Sequence, residues 1–253
     1  MLLLLKWSCG AYMKEEYREK TKRSKKGRVI AIAAVAAAAV IAGVIIHSRF
    51  GGSENVDVSG SIKDLEVEEY ILTESPNYNR SGKLAISGLM LHSVGMAVSD
   101  GKYLADVFGE PDYTRAGVHG FIDSKTGVVY HTLPWNQVAW HCGGDGILTH
   151  IGVEMCETDA GHYEGNDLII EDKAQAKKDC KTSYDTAVKL FAVLCDRYGL
   201  DPLKDGVIIS HREGAERGIA SNHGDPESYW AAVGSGYTMD GFREDVSDMM
   251  KSI

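Results

Sequence analysis

Two histidines stand where a β-sheet would deliver them. His92 closes the apolar run Ser87-Gly88-Leu89-Met90-Leu91-His92-Ser93, and His211 closes Val207-Ile208-Ile209-Ser210-His211. Neutral imidazoles at strand ends are natural zinc donors, binding the ion at about 2.0–2.1 Å. Either histidine alone reads as well as a structural side chain, so the pair needs a third donor and a base. Asp225, in Ser221-Asn222-His223-Gly224-Asp225-Pro226, offers the third donor, because the following proline can open a helix and hold the carboxylate at its start. Capping that helix is the plainer use of the same aspartate. Glu154 sits inside Ile151-Gly152-Val153-Glu154-Met155-Cys156, a run too apolar to shelter an unpartnered carboxylate, and a task beside a metal-bound water accounts for it. Three protein donors leave zinc a fourth position for water, whose pKa falls towards about 7, so the chemistry to expect is hydrolysis.

Further elements recur in the same order along the chain. Gly88-Leu89-Met90-Leu91-His92-Ser93, Val118-His119-Gly120-Phe121-Ile122-Asp123, Ala139-Trp140-His141-Cys142-Gly143, Ile151-Gly152-Val153-Glu154, Ser210-His211-Arg212-Glu213-Gly214 and His223-Gly224-Asp225-Pro226 together resemble the zinc-dependent N-acetylmuramoyl-L-alanine amidases. That family includes the phage lysozyme-type amidases and the animal peptidoglycan recognition proteins. The likeness covers about residues 84–248; each motif is weak alone, and six in order are specific. It implies His92, His211 and Asp225 as ligands of Zn2+, with Glu154 as the catalytic glutamate. His223 occupies a position held by a catalytic lysine or a threonine in relatives. As an imidazolium it would steady the oxyanion or protonate the leaving alanine nitrogen. Val118 stands where part of the family keeps a catalytic tyrosine, which shifts weight to Glu154. Trp140, His141 and Asn222 are expected at the groove for glycan or stem peptide, with packing and local hydrogen bonding as the alternative for the first two. His119 reads as structural. The implied activity is cleavage of the amide between N-acetylmuramic acid and L-alanine of peptidoglycan. The alternative is a non-catalytic peptidoglycan-binding or sensing module of the same fold, which would lack a metal ligand.

The elements that must position these residues follow from hydropathy. Strands are expected over Leu84–His92, Val118–Ile122, Val128–Leu133, Ile151–Cys156 and Val207–Ser210, and helices near Ser99–Phe108, Asp172–Tyr198, Pro226–Val233 and Gly241–Met250. On the long helix Ala187, Leu190, Phe191 and Leu194 mark one apolar face, and Gly199 stops it. Strands mixed with helices imply an α/β (α+β) fold, a central mixed β-sheet flanked by helices, as in the amidase family.

The N-terminal part has a different composition. Residues 29–46 run for 18 positions without a charge or a proline. At about 1.5 Å per residue that is roughly 27 Å, close to the hydrocarbon thickness of a bilayer. Residues 1–28 carry 9 Lys+Arg against 3 acidic residues, which places them on the cytoplasmic side of a single transmembrane signal anchor; a cleaved signal peptide is the rival. Met13 competes with Met1 as the start. Residues 47–69, polar and aperiodic at first, read as a linker, and 70–253 as the folded domain outside the cytoplasm. The remainder of the chain holds 18 Lys+Arg against 33 acidic residues, and so acidic a body excludes nucleic acid as a partner. The partners expected are peptidoglycan and, through the N-terminal helix, a membrane. Five cysteines show no metal-binding spacing. Cys180 and Cys195 share a helix at roughly 22 Å and cannot pair, while a Cys142–Cys156 bridge stays open.

Overall fold

The computed structural model describes residues 54–78 and 82–253. Among them the strands are, in chain order, β1 (Val67–Glu69), β2 (Gly88–Ser93), β3 (Gly120–Ile122), β4 (Val129–His131), β5 (His150–Met155), β6 (Gly161–Glu164), β7 (Asp167–Ile170) and β8 (Ile208–Ser210). Six form one mixed sheet in the order β1-β4-β3-β5-β2-β8, and β6 and β7 form a separate antiparallel hairpin. Within the sheet only β3 and β4 run antiparallel. β2 and β5 lie next to each other in the interior, which explains their nearly unbroken apolar sequences: a parallel strand covered on both faces has no side left for water.

The helices are α1 (Gly101–Gly109), α2 (Lys173–Tyr198), α3 (His211–Glu216), α4 (Glu227–Val233) and α5 (Met239–Met250). α2 is bounded as its sequence dictates. The Asp172 carboxylate accepts from the amides of Ala174 and Gln175, a cap worth about 1 kcal/mol. At the other end Gly199 takes the left-handed conformation at φ 63°, and the Leu200 amide returns to the Cys195 carbonyl at 2.8 Å.

Side-chain alternation divides the sheet into two faces with different tasks. Leu89 and Leu91 of β2, Ile151 and Val153 of β5 and Ile208 of β8 join the main core, which also holds Leu190, Phe191 and Leu194 of α2 and Phe242 and Val246 of α5. On the opposite face Met90 and Ile209 meet Cys142, while Phe121 packs with Leu104 and Ala105 of α1. The residues of this second face that follow Met90 and Ile209 by two positions are His92 and His211.

Several boundaries differ from expectation. The folded part begins well before residue 70, for Val58 is fully buried, Leu65 is buried, and β1 pairs with β4 through Val67, Glu68 and Glu69. The segment read as the end of a linker is thus an edge strand, whose glutamates mask its pairing signal. The β6–β7 hairpin, half exposed and polar, was not expected at all. His211 does not end a strand; it opens α3, held by a capping box in which Ser210 Oγ accepts from the Glu213 amide and Glu213 accepts from the Ser210 amide. The other strand and helix expectations hold to within a few residues, with every strand but β5 shorter than its apolar run. Cys142, Cys156, Cys180 and Cys195 are buried free thiols, so the Cys142–Cys156 bridge is not formed. The apolar run at 29–46, its basic flank and Cys9 lie outside the described residues; among the described residues no helix is long and apolar enough to cross a membrane.

Candidate active site

β2 and β5 pair in register with His92 opposite Glu154, so both side chains leave the sheet on the same face. Leu91 of β2 pairs with Ser210 of β8, and the next residue along, His211, therefore arrives beside His92. The third participant comes from the loop before α4. Asp225 is tied down by its own backbone and side chain: the Arg212 amide donates to its carbonyl at 3.3 Å, and the Ser93 amide to its Oδ2 at 3.3 Å. Pro226, not Asp225, stands at the N-cap of α4, so the plainer capping role is not the one Asp225 plays.

The three donors form a small triangle. His92 Nδ1 lies 3.1 Å from His211 Nδ1 and 3.3 Å from Asp225 Oδ2, and His211 Nδ1 lies 3.5 Å from Asp225 Oδ1. Ligands bound tetrahedrally at 2.0–2.1 Å are about 3.4 Å apart, so the triangle has the edge length of one face of such a site. Among the described residues this is the group of histidine, cysteine and acidic side chains placed to hold a metal ion. Charge agrees with geometry. Burial lowers the basicity of His92, keeping the imidazole neutral despite Asp225 beside it. For Asp225 burial acts upward, but its contacts with His211 and His92 outweigh it and hold the carboxyl below the ordinary range. Two imidazole nitrogens and one carboxylate are a donor set suited to a divalent cation.

Glu154 is half-buried, with Oε2 shut off from solvent and lacking a hydrogen-bond partner. Burial, with Asp225 and Glu157 adding repulsion, pushes its carboxyl well above the usual range. A buried acceptor without a donor costs about 1–3 kcal/mol, a cost that a folded protein accepts where a ligand or reactant completes the site. His223 packs against His211 with ring centres 4.6 Å apart and planes tilted by 33°, and its Nδ1 lies 4.0 Å from Asp225 Oδ1. Burial and then His211 lower its basicity, so the imidazolium expected from the sequence is disfavoured here, and a neutral N–H is what His223 offers. Asn222 is exposed, and with His223, Arg212 and Glu216 it lines an open depression of about 570 Å³. Trp140 is exposed as a groove residue would be.

His141 is not at a groove. It is buried behind the site, its Nδ1 2.9 Å from His92 Nε2 and its Nε2 3.0 Å from the His150 carbonyl. The reason lies in β5, where Gly152 carries no side chain and the ring fills the slot that a Cβ would occupy. His119 is structural, its Nε2 donating to the Gln137 carbonyl at 2.8 Å and its Nδ1 accepting from the Gly152 amide at 3.0 Å. Val118 is packed in the core beside Phe121 and cannot serve as a reactive group. Tyr113, half-buried in the loop after α1, packs its ring on Phe108 at 4.5 Å between ring centres.

Sequence reasoning missed two neighbours of the site. Ser221 Oγ lies 3.1 Å from His211 Nε2 and donates to the Cys142 carbonyl at 3.1 Å. Glu157, three residues beyond Glu154 and just past the end of β5, is buried and accepts from Ser93 Oγ at 2.7 Å, the Gly95 amide at 3.1 Å and Tyr163 Oη at 2.6 Å. Neither position carries a spacing signal.

A family model described as N-acetylmuramoyl-L-alanine amidase matches residues 82–228, more than half of the chain. The matched span contains His92, Glu154, His211, His223 and Asp225. Among solved structures, the hydrolase AmiA of Staphylococcus aureus, crystallised with its ligand, aligns at a TM-score of 0.56 and 18% identity, covering 75% of this chain and 85% of that one. A mutant endolysin from Bacillus subtilis aligns at a TM-score of 0.50 and 19% identity, over 72% of this chain and 99% of that one. At such identities these two likenesses concern the fold. No curated protein matches.

Proposed function

The chain belongs to the N-acetylmuramoyl-L-alanine amidase family, and from that premise we propose a zinc-dependent enzyme whose residues His92, His211 and Asp225 hold the metal and whose Glu154 moves the proton. As a member of that family it is a peptidoglycan hydrolase, cleaving the amide bond between N-acetylmuramic acid and L-alanine of the stem peptide. The observation that carries the zinc reading is the donor triangle, with edges of 3.1, 3.3 and 3.5 Å between two imidazole nitrogens and a carboxylate. Bound there, zinc would supply Lewis acidity towards the scissile carbonyl and towards water.

The chain's own residues supply the rest. Glu154, on the same face as His92, takes the proton of the attacking water at its unpartnered Oε2 and returns it to the alanine nitrogen as the amide breaks. A cation beside it would favour its ionised form and offset the burial that holds the carboxyl protonated. His223, at the rim between the metal site and the open depression, donates a hydrogen bond to the developing oxyanion. Trp140 and Asn222, both exposed, contact the glycan or the stem peptide.

For the N-terminal part we propose a cytoplasmic tail at 1–28 and a membrane anchor at 29–46 that keeps the hydrolase outside the cytoplasm and close to its wall substrate. The connection to the folded part is shorter than residues 47–69, since the chain is already packed at Val58.

Digestion of purified peptidoglycan with the full chain, followed by mass spectrometry, tests the activity. Free lactyl groups on muramic acid and intact peptides beginning with L-alanine are expected, and glycan strands cut instead of stem peptides released would defeat it. Zinc at one equivalent, lost with activity on chelation and in His92→Ala, tests the metal. Protease treatment of intact protoplasts tests the topology, with a short protected N-terminal fragment as the expected product.

A further inference from the structure

The contacts of His141 fix where hydrogens lie two rings away. A backbone carbonyl only accepts, so the 3.0 Å contact between His141 Nε2 and the His150 carbonyl places a hydrogen on that nitrogen. A neutral imidazole carries one N–H, which leaves His141 Nδ1 as an acceptor. The 2.9 Å contact from His141 Nδ1 to His92 Nε2 then requires the hydrogen to sit on His92. With Nε2 protonated, the lone pair of His92 is on Nδ1, the atom that faces His211 and Asp225.

We propose that His141 is a positioning residue: it locks His92 into the Nε2–H tautomer and aims the Nδ1 lone pair into the donor triangle. This rests on the reading of His92 as a metal ligand. The ring that does the locking is itself locked. It is buried, so water does not compete for its two nitrogens, and it lies on Gly152, where an added Cβ would fall 2.3 Å from the ring Cγ. Its plane stands at 75° to that of His92, the edge-on arrangement that a linear N–H···N bond between two rings allows. Gly152 is thereby assigned a purpose as well: it is the space in the sheet that lets an imidazole stand behind a ligand. Outer hydrogen bonds of this kind set ligand orientation, and losing one lowers metal affinity by about 10–100-fold.

The test uses the full chain labelled with 15N-histidine. Long-range 1H–15N correlation reads which ring nitrogen of His92 bears the proton, in the zinc-free protein under alkaline conditions where its imidazoles are neutral. A proton on Nε2 is expected, and a proton on Nδ1 overturns the proposal. Zinc affinity, measured by competition with a chromophoric chelator, should fall about 10–100-fold in His141→Phe. It should largely recover in His141→Gln, whose amide again offers one acceptor and one donor. Wild-type affinity in His141→Phe also overturns the proposal. If that variant does not fold, the wild-type spectrum still decides. A chain that carries the His92 proton on Nε2 yet binds no zinc breaks the metal reading and leaves the relay standing.

Discussion

Glu154 and Glu157 lie three residues apart at the carboxyl end of β5, and burial raises both carboxyls above the ordinary range. Their surroundings are opposite. Glu157 receives three donors, from Ser93, Gly95 and Tyr163, and so joins the end of β2 to the β6–β7 hairpin. Glu154 has an oxygen sealed from solvent with no donor at all. A second polar cluster repeats the pattern of Glu157: Asp179 on α2 is buried, yet takes Lys125 and Thr158 at 2.7 Å and Gln175 at 2.6 Å. Buried carboxylates whose partners are complete hold the fold together. Glu227 is satisfied at one oxygen only, by Ser210 Oγ, and Glu154 is left incomplete on the sheet face that carries His92, where a reaction needs an unspent acceptor.

The sharpest way to break this comparison is to neutralise each glutamate in turn. Glu154→Gln should lose about 10²–10⁴-fold in turnover, the usual contribution of a positioned proton-transfer group. Zinc content should stay at the wild-type level, and thermal stability should hold or rise, because an amide relieves a buried carboxyl that has no donor. Turnover measured beside metal content and melting temperature checks all three. A variant that keeps its rate, or loses it only together with its zinc, removes Glu154 from the role of base.

Next in size is His223. If it donates to the oxyanion, His223→Ala should slow turnover by about 10²-fold, the scale for losing one such donor. His223→Lys should keep much of the rate, since it restores a donor at the rim. KM is expected to move less than kcat, because the contact strengthens as charge develops. Equal damage in both variants would mean that the imidazole matters for its packing against His211 rather than for its hydrogen.

Ser221 sharpens the comparison on the ligand side, because it completes His211 as His141 completes His92. Ser221→Ala should weaken zinc binding by about 10-fold, the low end for an outer-shell bond, while Ser221→Thr retains the hydroxyl and the affinity. Calorimetric or chelator-competition measurements on the two variants check this. Equal affinities would leave His211 held by packing alone.

The sheet was legible in the sequence, and so was the grouping of His92, His211 and Asp225 on one side of it, because the apolar runs leading to the two histidines mark adjacent strands. His141 was legible as a member of the site but not in its direction. It comes from a loop, where no period fixes the side chain, and the cue was a glycine inside the strand, Gly152, whose missing side chain marks a close approach. The β6–β7 hairpin had a cue in Gly165-Asn166, a turn dipeptide between short alternating runs, with Gly165 at φ 67°. Ser210-His211-Arg212-Glu213 likewise spelled a capping box and hence a helix beginning at His211. β1 had little to offer, as three residues with two glutamates do not read as a strand until a partner is present. Ser221 and Glu157 were hidden for a different reason: their roles are defined by partners on other elements, Cys142 and His211 for the one, Ser93, Gly95 and Tyr163 for the other.

The smallest effect on turnover belongs to Glu157, and it tests the structural half of the comparison. Its carboxyl is raised from 4.5 to about 7, first by burial, with Asp225 adding repulsion and the bonds from Tyr163, Ser93 and Gly95 offsetting part of the rise. A group raised in the folded state stabilises the fold fully below its unfolded value and loses that contribution as pH climbs through the folded one. Stability tied to Glu157 should thus decline between about pH 4.5 and 7, by an amount on the order of 3 kcal/mol. Glu157→Gln stays neutral throughout and should remove this part of the pH dependence. Its carbonyl can keep the Ser93 and Gly95 bonds, which both go to Oε1, while its amide faces Tyr163 Oη, a hydroxyl free to turn from donor to acceptor. Turnover on peptidoglycan should match the wild type. Melting temperatures recorded for both proteins across that pH range give the answer: curves that stay parallel deny Glu157 its titration, and a loss of activity comparable to that of Glu154→Gln would show that the completed carboxylate takes part in the reaction after all.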